Sequence, residues 1–257
     1  MPWSRFAKNW LYSYPRSMSV NYIPVTKSAV LKDKFGVEVG GVDGLAGDVW
    51  PGGFAPFIRL AADTADPQQL VRVREDGIFR FVPDFVSTMG WARATQNARS
   101  ETVDVKPTYM DAWWAGRRCI IPAQALYEVN YESGNAVRWR LRRADDEPMG
   151  IAGVYRAYRH PDGREVFAMC MLTCNADTHP FMKRFHAPGD EKRMVVILEP
   201  QQFEDWLKCP VKEAKTKYCV MWLGELSGEA AALPKRAKKA PPRKPRQSMT
   251  GDLFDFG

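Results

Sequence analysis

Apolar and polar residues alternate in several short runs, most plainly in Val137-Arg138-Trp139-Arg140-Leu141, and such alternation predicts half-buried strands. Strands are predicted over residues 55–60, 78–82, 118–121, 137–141, 149–154, 166–173 and 194–198, with turn residues such as Pro161-Asp162-Gly163 between them. A helix is predicted over 26–36: Thr26 can cap its start, Leu31 and Phe35 share a face, and Gly36 can end it. A glycine-rich loop follows over 40–53. Shorter helices fit 107–115, 178–184 and 201–208. Strands outnumber helices, and the two kinds do not alternate regularly. The expected fold is therefore α+β: a curled, mostly antiparallel sheet or open barrel with peripheral helices, in a single domain.

The ends of the chain read differently. Residues 1–17 carry aromatic and basic side chains without a period, as either an extension upstream of the domain or an ordered arm. The domain is expected over 18–227. Beyond it, alanine, proline, lysine and arginine dominate, which predicts a disordered basic tail over 228–257.

Charge sharpens that division. The net charge of +7 lies in the tail, where Lys235, Arg236, Lys238, Lys239, Arg243, Lys244 and Arg246 have no acidic neighbour; the remaining 30 basic residues match 30 acidic ones. A basic tail on a neutral body favours polyanions through phosphate contacts and counterion release. Five cysteines, odd in number and without a CxxC pair, speak against a disulfide framework or a structural zinc site, and for a reducing compartment. No run of 18 apolar residues predicts a membrane span, and the first residues lack the apolar core of a signal peptide. A soluble, cytoplasmic protein is expected.

Candidate chemistry sits in short polar words within apolar sequence. His186 is one of three histidines and lies between a helical pattern and the polar loop Ala187-Pro188-Gly189-Asp190; imidazole is the side chain best suited to move protons near neutral pH. His179 reads as a helix-start residue and His160 as a turn residue. Glu128 follows Ala125-Leu126-Tyr127, where a carboxylate is costly to bury without a partner. It either handles protons or forms a structural ion pair. Asn97 offers a donor and an acceptor together, for a sugar oxygen or for a turn. Arg99, two residues on, shares a strand face with it and suits phosphate.

Ordered along the chain, Met18-Ser19-Val20-Asn21-Tyr22, Asn97 to Thr102, Arg118-Cys119-Ile120-Ile121-Pro122 on to Tyr127-Glu128, and Arg184-Phe185-His186 on to Glu191-Lys192-Arg193-Met194 resemble the SRAP family. These are the SOS-response-associated peptidases, which process abasic sites in single-stranded DNA. The resemblance spans about 18 to 207. It implies that Asn97, Glu128 and His186 line an abasic-sugar pocket, and that Asn21 and Thr173 fall at DNA-contacting positions, Asn21 in place of a common arginine. Phe81-Val82-Pro83-Asp84-Phe85 is similar to a family word that ends in tryptophan. Phe85 then either stacks on a base or packs in the core. The implied partner is single-stranded DNA with abasic sites, for a nucleoid-associated monomer with no cofactor, metal or membrane contact. Leu253-Phe254 resembles the end of peptides that dock on bacterial sliding clamps.

Ser19 departs from the family, whose N-terminal cysteine captures the ring-opened sugar with its thiol and α-amine. A thiol closes a stable thiazolidine, whereas a hydroxyl closes a less stable oxazolidine. Schiff-base formation and β-elimination need only the amine. The implied activity is thus AP-site crosslinking or lyase chemistry with associated autoproteolysis, weakened at Ser19. The alternative is an inactive single-strand binder, and it follows if the mature chain starts at Met1. A cysteine protease acting on other proteins fits poorly, because no cysteine has an activating partner nearby in sequence.

Overall fold

In the computed structural model, which describes residues 21–37, 47–63, 66, 68–82, 95–159 and 163–232, the alternating runs become strands of one sheet system. The described strands are β1 (Tyr22–Pro24), β2 (Phe54–Ala62), β3 (Leu70–Phe79), β4 (Asn97–Arg99), β5 (Arg118–Asn130), β6 (Val137–Arg143), β7 (Met149–Arg159), β8 (Glu165–Asn175), β9 (Arg193–Val195), β10 (Ile197–Leu198) and β11 (Leu226–Ala230). The helices are α1 (Ser28–Phe35), α2 (Met110–Trp114), α3 (Phe203–Lys208) and α4 (Val211–Tyr218).

Five strands close into a barrel. β2 pairs with β3, β3 with β8, β8 with β7, β7 with β5, and Ile58↔Ile120 joins β5 back to β2. Closure removes the edges an open sheet would expose. Most pairs are antiparallel as expected; β3–β8 and β4–β8 are parallel. Barrel strands covered on both sides need apolar residues on both faces, as the buried run Cys119 to Ala123 shows; Arg118, buried beside it, is the polar exception. Phe57, Ile58, Ile120, Ile121, Ile151, Met169 and Leu172 fill this core.

Two strands outrun the barrel and place the site. The far end of β5 pairs with β1 and β6, and β11 adds to β6. The far end of β8 pairs with β4 and β9. Against the near end of β5, α3 is fastened by Trp206 Nε1 donating to the Cys119 carbonyl at 2.9 Å. Arg118 donates to the carbonyls of Trp206 and Cys209, which closes the helix end from inside. At Gly36 the chain takes φ 65°, and the 36 and 37 amides return to the carbonyls of Lys32 and Leu31. That is the glycine-ended helix stop expected from sequence.

Several expectations need correction. The strand predicted over 78–82 is β3, eight residues earlier at its start, because Arg72, Arg74 and Glu75 meet Glu204, Asp76 and Arg59 across the surface. The helix predicted over 178–184 shrinks to a single 3-10 turn at Met182–Arg184, since the His179 side chain takes the amides of Phe181 and Met182. α1 begins at Ser28 with no side-chain cap from Lys27, so Thr26 does not cap it. Residues 228–230, expected as tail, continue β11. The segments 1–17 and 233–257 lie outside the described residues.

Candidate active site

Glu128 sits on β5 opposite Trp139 of β6, and His186 enters from the turn after Met182–Arg184. Their side chains meet: His186 Nε2 is 3.4 Å from Glu128 Oε2, with 2% and 4% of the two side chains exposed. His186 adopts φ 65°, a left-handed conformation that non-glycine residues hold only when surroundings compel it. The compulsion is visible. Its amide donates to the Val129 carbonyl at 2.9 Å, and Phe185 bridges Asn130 beside it. Arg184 grips both Glu132 oxygens at 2.9 and 2.8 Å, with its guanidinium 5.1 Å over Trp139 and 5.4 Å over Phe181. Asn130 Nδ2 donates to the Arg184 carbonyl, and Lys192 Nζ to that of Ala187. Hydrogen bonds from Arg184 and then Asn130 hold the Glu132 carboxyl down at about 2.

The imidazole orientation follows from its second nitrogen. Nδ1 accepts the Arg193 amide at 3.5 Å, which assigns the ring proton to Nε2; that nitrogen lies 3.4 Å from Glu128 Oε2 without a hydrogen bond to any described residue. A carboxylate and an N–H group face each other in a water-poor place, an arrangement that can pass a proton.

Thr173 lies deeper. Its hydroxyl accepts from Arg193 Nε and Nη2 at 3.2 Å each, and its carbonyl accepts from Nη2 at 2.8 Å. Arg193 also reaches Glu101 Oε2 at 2.8 Å and Glu191 Oε1 at 2.6 Å. Burial works to raise the Glu101 carboxyl, but hydrogen bonds from Arg193 and the backbone outweigh it and leave it below the ordinary range. Arg99 is half-exposed and donates to Glu191 at 2.6 Å. Asn97 is buried on β4 beside Met171, and its carbonyl accepts the Tyr109 hydroxyl.

Asn21 belongs to a separate polar knot, where Tyr127 rather than Glu128 faces. Asp48 accepts from Asn21 Nδ2 at 2.9 Å, from Tyr127 Oη at 3.2 Å and from Arg138 Nη2 at 2.6 Å. The Arg138 guanidinium lies 3.3 Å over the Tyr127 ring.

Glu128 and His186 therefore come into direct contact, and Thr173 joins them through Arg193. Asn97 is connected by strand pairing through β8 and β9, and Asn21 by its carbonyl, which accepts the Tyr127 amide. Ser19, Phe85, Leu253, Phe254 and His160 lie outside the described residues. Sequence reasoning passed over Asp48, Glu101, Glu132 and Arg193. Glu101 and Arg193 carried a signal, each as part of a word that resembles the family, the first after Asn97 and the second after His186.

Burial pushes all five thiols up, Cys174 to about 11 and Cys219 to about 12. A thiol held protonated is a poor nucleophile. Among the described residues, no three His, Cys, Asp or Glu side chains form a metal-binding group, and no helix is long and apolar enough to cross a membrane.

The family model for SOS response associated peptidases matches residues 15–232. A crystallographic structure of a Bordetella bronchiseptica protein is 31% identical, with a TM-score of 0.72, over 83% of this chain and 100% of that one. A Bacteroides thetaiotaomicron protein shares the fold at 16% identity and TM-score 0.67, over 83% of this chain and 92% of its own. A phage-related Bordetella bronchiseptica protein does so at 18% and 0.52, over 84% and 94%. No curated protein matches the chain significantly.

Proposed function

Because the chain belongs to the SOS response associated peptidase family, we propose that it binds single-stranded DNA and reacts with abasic sites through the α-amine of Ser19. The buried contact between Glu128 and His186 carries this reading. A carboxylate and an imidazole in contact are the two kinds of group that the reaction uses.

The chemistry divides between them. As the sugar opens, the anomeric hydroxyl gives its proton to the Glu128 carboxylate and becomes the aldehyde carbonyl, the bond to the ring oxygen breaks, and that oxygen, steadied by a hydrogen bond from His186 Nε2–H, takes the proton back from Glu128. The Ser19 amine adds to the aldehyde carbon: the N–C bond forms as the carbonyl pair moves to oxygen. Glu128, having first taken a proton from the α-ammonium to free the amine, stands protonated; one of the two remaining nitrogen protons passes to the alkoxide, and Glu128 returns its proton to that hydroxyl, which leaves as water and gives the iminium. The Ser19 hydroxyl can then add to the iminium carbon and lose its proton, closing an oxazolidine. Alternatively, loss of the neighbouring carbon-bound proton expels the 3′ phosphate by β-elimination.

Ser19 also favours a second reading. With its amine in a peptide bond, the chain keeps the pocket but only binds. Borohydride reduction of a chain beginning at Ser19, mixed with an abasic single strand, separates the two. A covalent adduct on a denaturing gel is expected, absent when the amine is acetylated; tight binding without an adduct assigns the non-catalytic role.

A further inference from the structure

The turn after His186 ends at Arg193, whose guanidinium is buried to 3% exposure and fully engaged. Its N–H groups go to the Thr173 carbonyl and hydroxyl, to both Glu101 oxygens and to Glu191. A fork bonded on every side has little capacity left for a ligand, and it fixes the position of its own main chain. That main chain matters because β9 begins here, and the Arg193 amide is the group that meets His186 Nδ1 at 3.5 Å. A neutral imidazole has one donor and one acceptor. Because Nε2 is the nitrogen beside Glu128, acceptance by Nδ1 leaves the ring proton on that side.

We propose that Arg193 is the positioning residue of the site: its clamp on Thr173, Glu101 and Glu191 holds its amide against His186 Nδ1 and so keeps the ring proton on Nε2. This rests on Glu128 and His186 being the reacting pair. The Thr173 hydroxyl serves the clamp as acceptor for Arg193. Glu101, opposite the fork, is the second member of the device and works only through Arg193.

The test is a nitrogen–proton correlation spectrum of histidine side chains in the full 257-residue chain, without DNA, with His186 assigned by its loss in His186→Gln. The wild-type ring should show the Nε2–H pattern. Arg193→Lys keeps the charge but loses the fork, and Glu101→Gln keeps the shape but loses the charge. Each should shift the tautomer ratio measurably toward Nδ1–H. Single-strand affinity should change little. If Arg193→Lys does not fold, Glu101→Gln decides alone. An unchanged Nε2–H pattern in the folded variants overturns the proposal, as does a wild-type ring protonated at Nδ1. Loss of single-strand affinity with an unchanged tautomer would make Arg193 a phosphate ligand instead. Because no DNA is present, a tautomer shift stands even if abasic sites prove not to be the substrate.

Discussion

Glu128 and His186 touch at 3.4 Å with both side chains buried, although one comes from near the end of a long strand and the other from a left-handed turn. Such a contact is sensitive to single-atom changes. Glu128→Gln should reduce borohydride trapping of abasic single strands by roughly 10²–10⁴-fold, the usual worth of general acid–base help. His186→Ala should slow ring opening and β-elimination more than it weakens binding. Trapping rates beside anisotropy titrations separate the two effects.

His179 gives the fold an acid limit. Its Nδ1 accepts the amides of Phe181 and Met182 at 3.1 Å each, and burial lowers its pKa from the ordinary 6.5. The folded state therefore binds the proton more weakly than the unfolded chain. Its contribution is complete above 6.5 and fades as pH falls below that value toward the folded pKa. His179→Gln should lower stability at pH 8 and flatten the pH dependence below about 6.5, as urea midpoints would show. Loss from the Arg184-bound Glu132 falls in a separate, more acidic window, because its folded pKa is about 2.

Gly150 lets α3 lie directly on β7. A Cβ there would collide with the Phe203 ring. Gly150→Ala should destabilise the protein by about 1–3 kcal/mol, the usual cost of overpacking. Chemical denaturation measures this, and an unchanged midpoint would mean that α3 moves aside freely.

The tail charge should act without reading sequence. Single strands should bind more tightly than duplex across a salt series. Deleting 235–246 should flatten the salt slope, by about 0.7 for every phosphate that the tail neutralises. Equal affinity for both forms would count against an unpaired-sugar pocket.

What could be read from sequence follows a physical division. Glu128 and His186 drew attention as a carboxylate in an apolar run and a rare imidazole beside a polar loop, but it was the resemblance to the family that singled them out. Strands such as β7 and β8 were visible because apolar residues recur along them. The first half of β3 was hidden, since its charged residues are paired: Arg72 with Glu204, Arg74 with Asp76 on the same strand, and Glu75 with Arg59 of β2. β11 was hidden too, as Ser227-Gly228-Glu229 takes its order from β6. The reach of Arg193 to Glu101, and of Asp48 to Asn21, Tyr127 and Arg138, joins segments far apart in the chain. No local pattern encodes such meetings. Thr173 and Asn21, expected to face DNA, have side chains held within the protein by Arg193 and Asp48.

The most direct measurement of the whole account restores the family thiol. Ser19→Cys in a chain beginning at residue 19, incubated with an abasic single strand and heated in denaturant, should give a stable crosslinked band, because Glu128 and His186 already stand in contact. The same substitution in the full-length chain should give none while the amine remains in a peptide bond. A Ser19→Cys chain that binds the abasic strand but leaves no heat-stable adduct would contradict the assignment of the site.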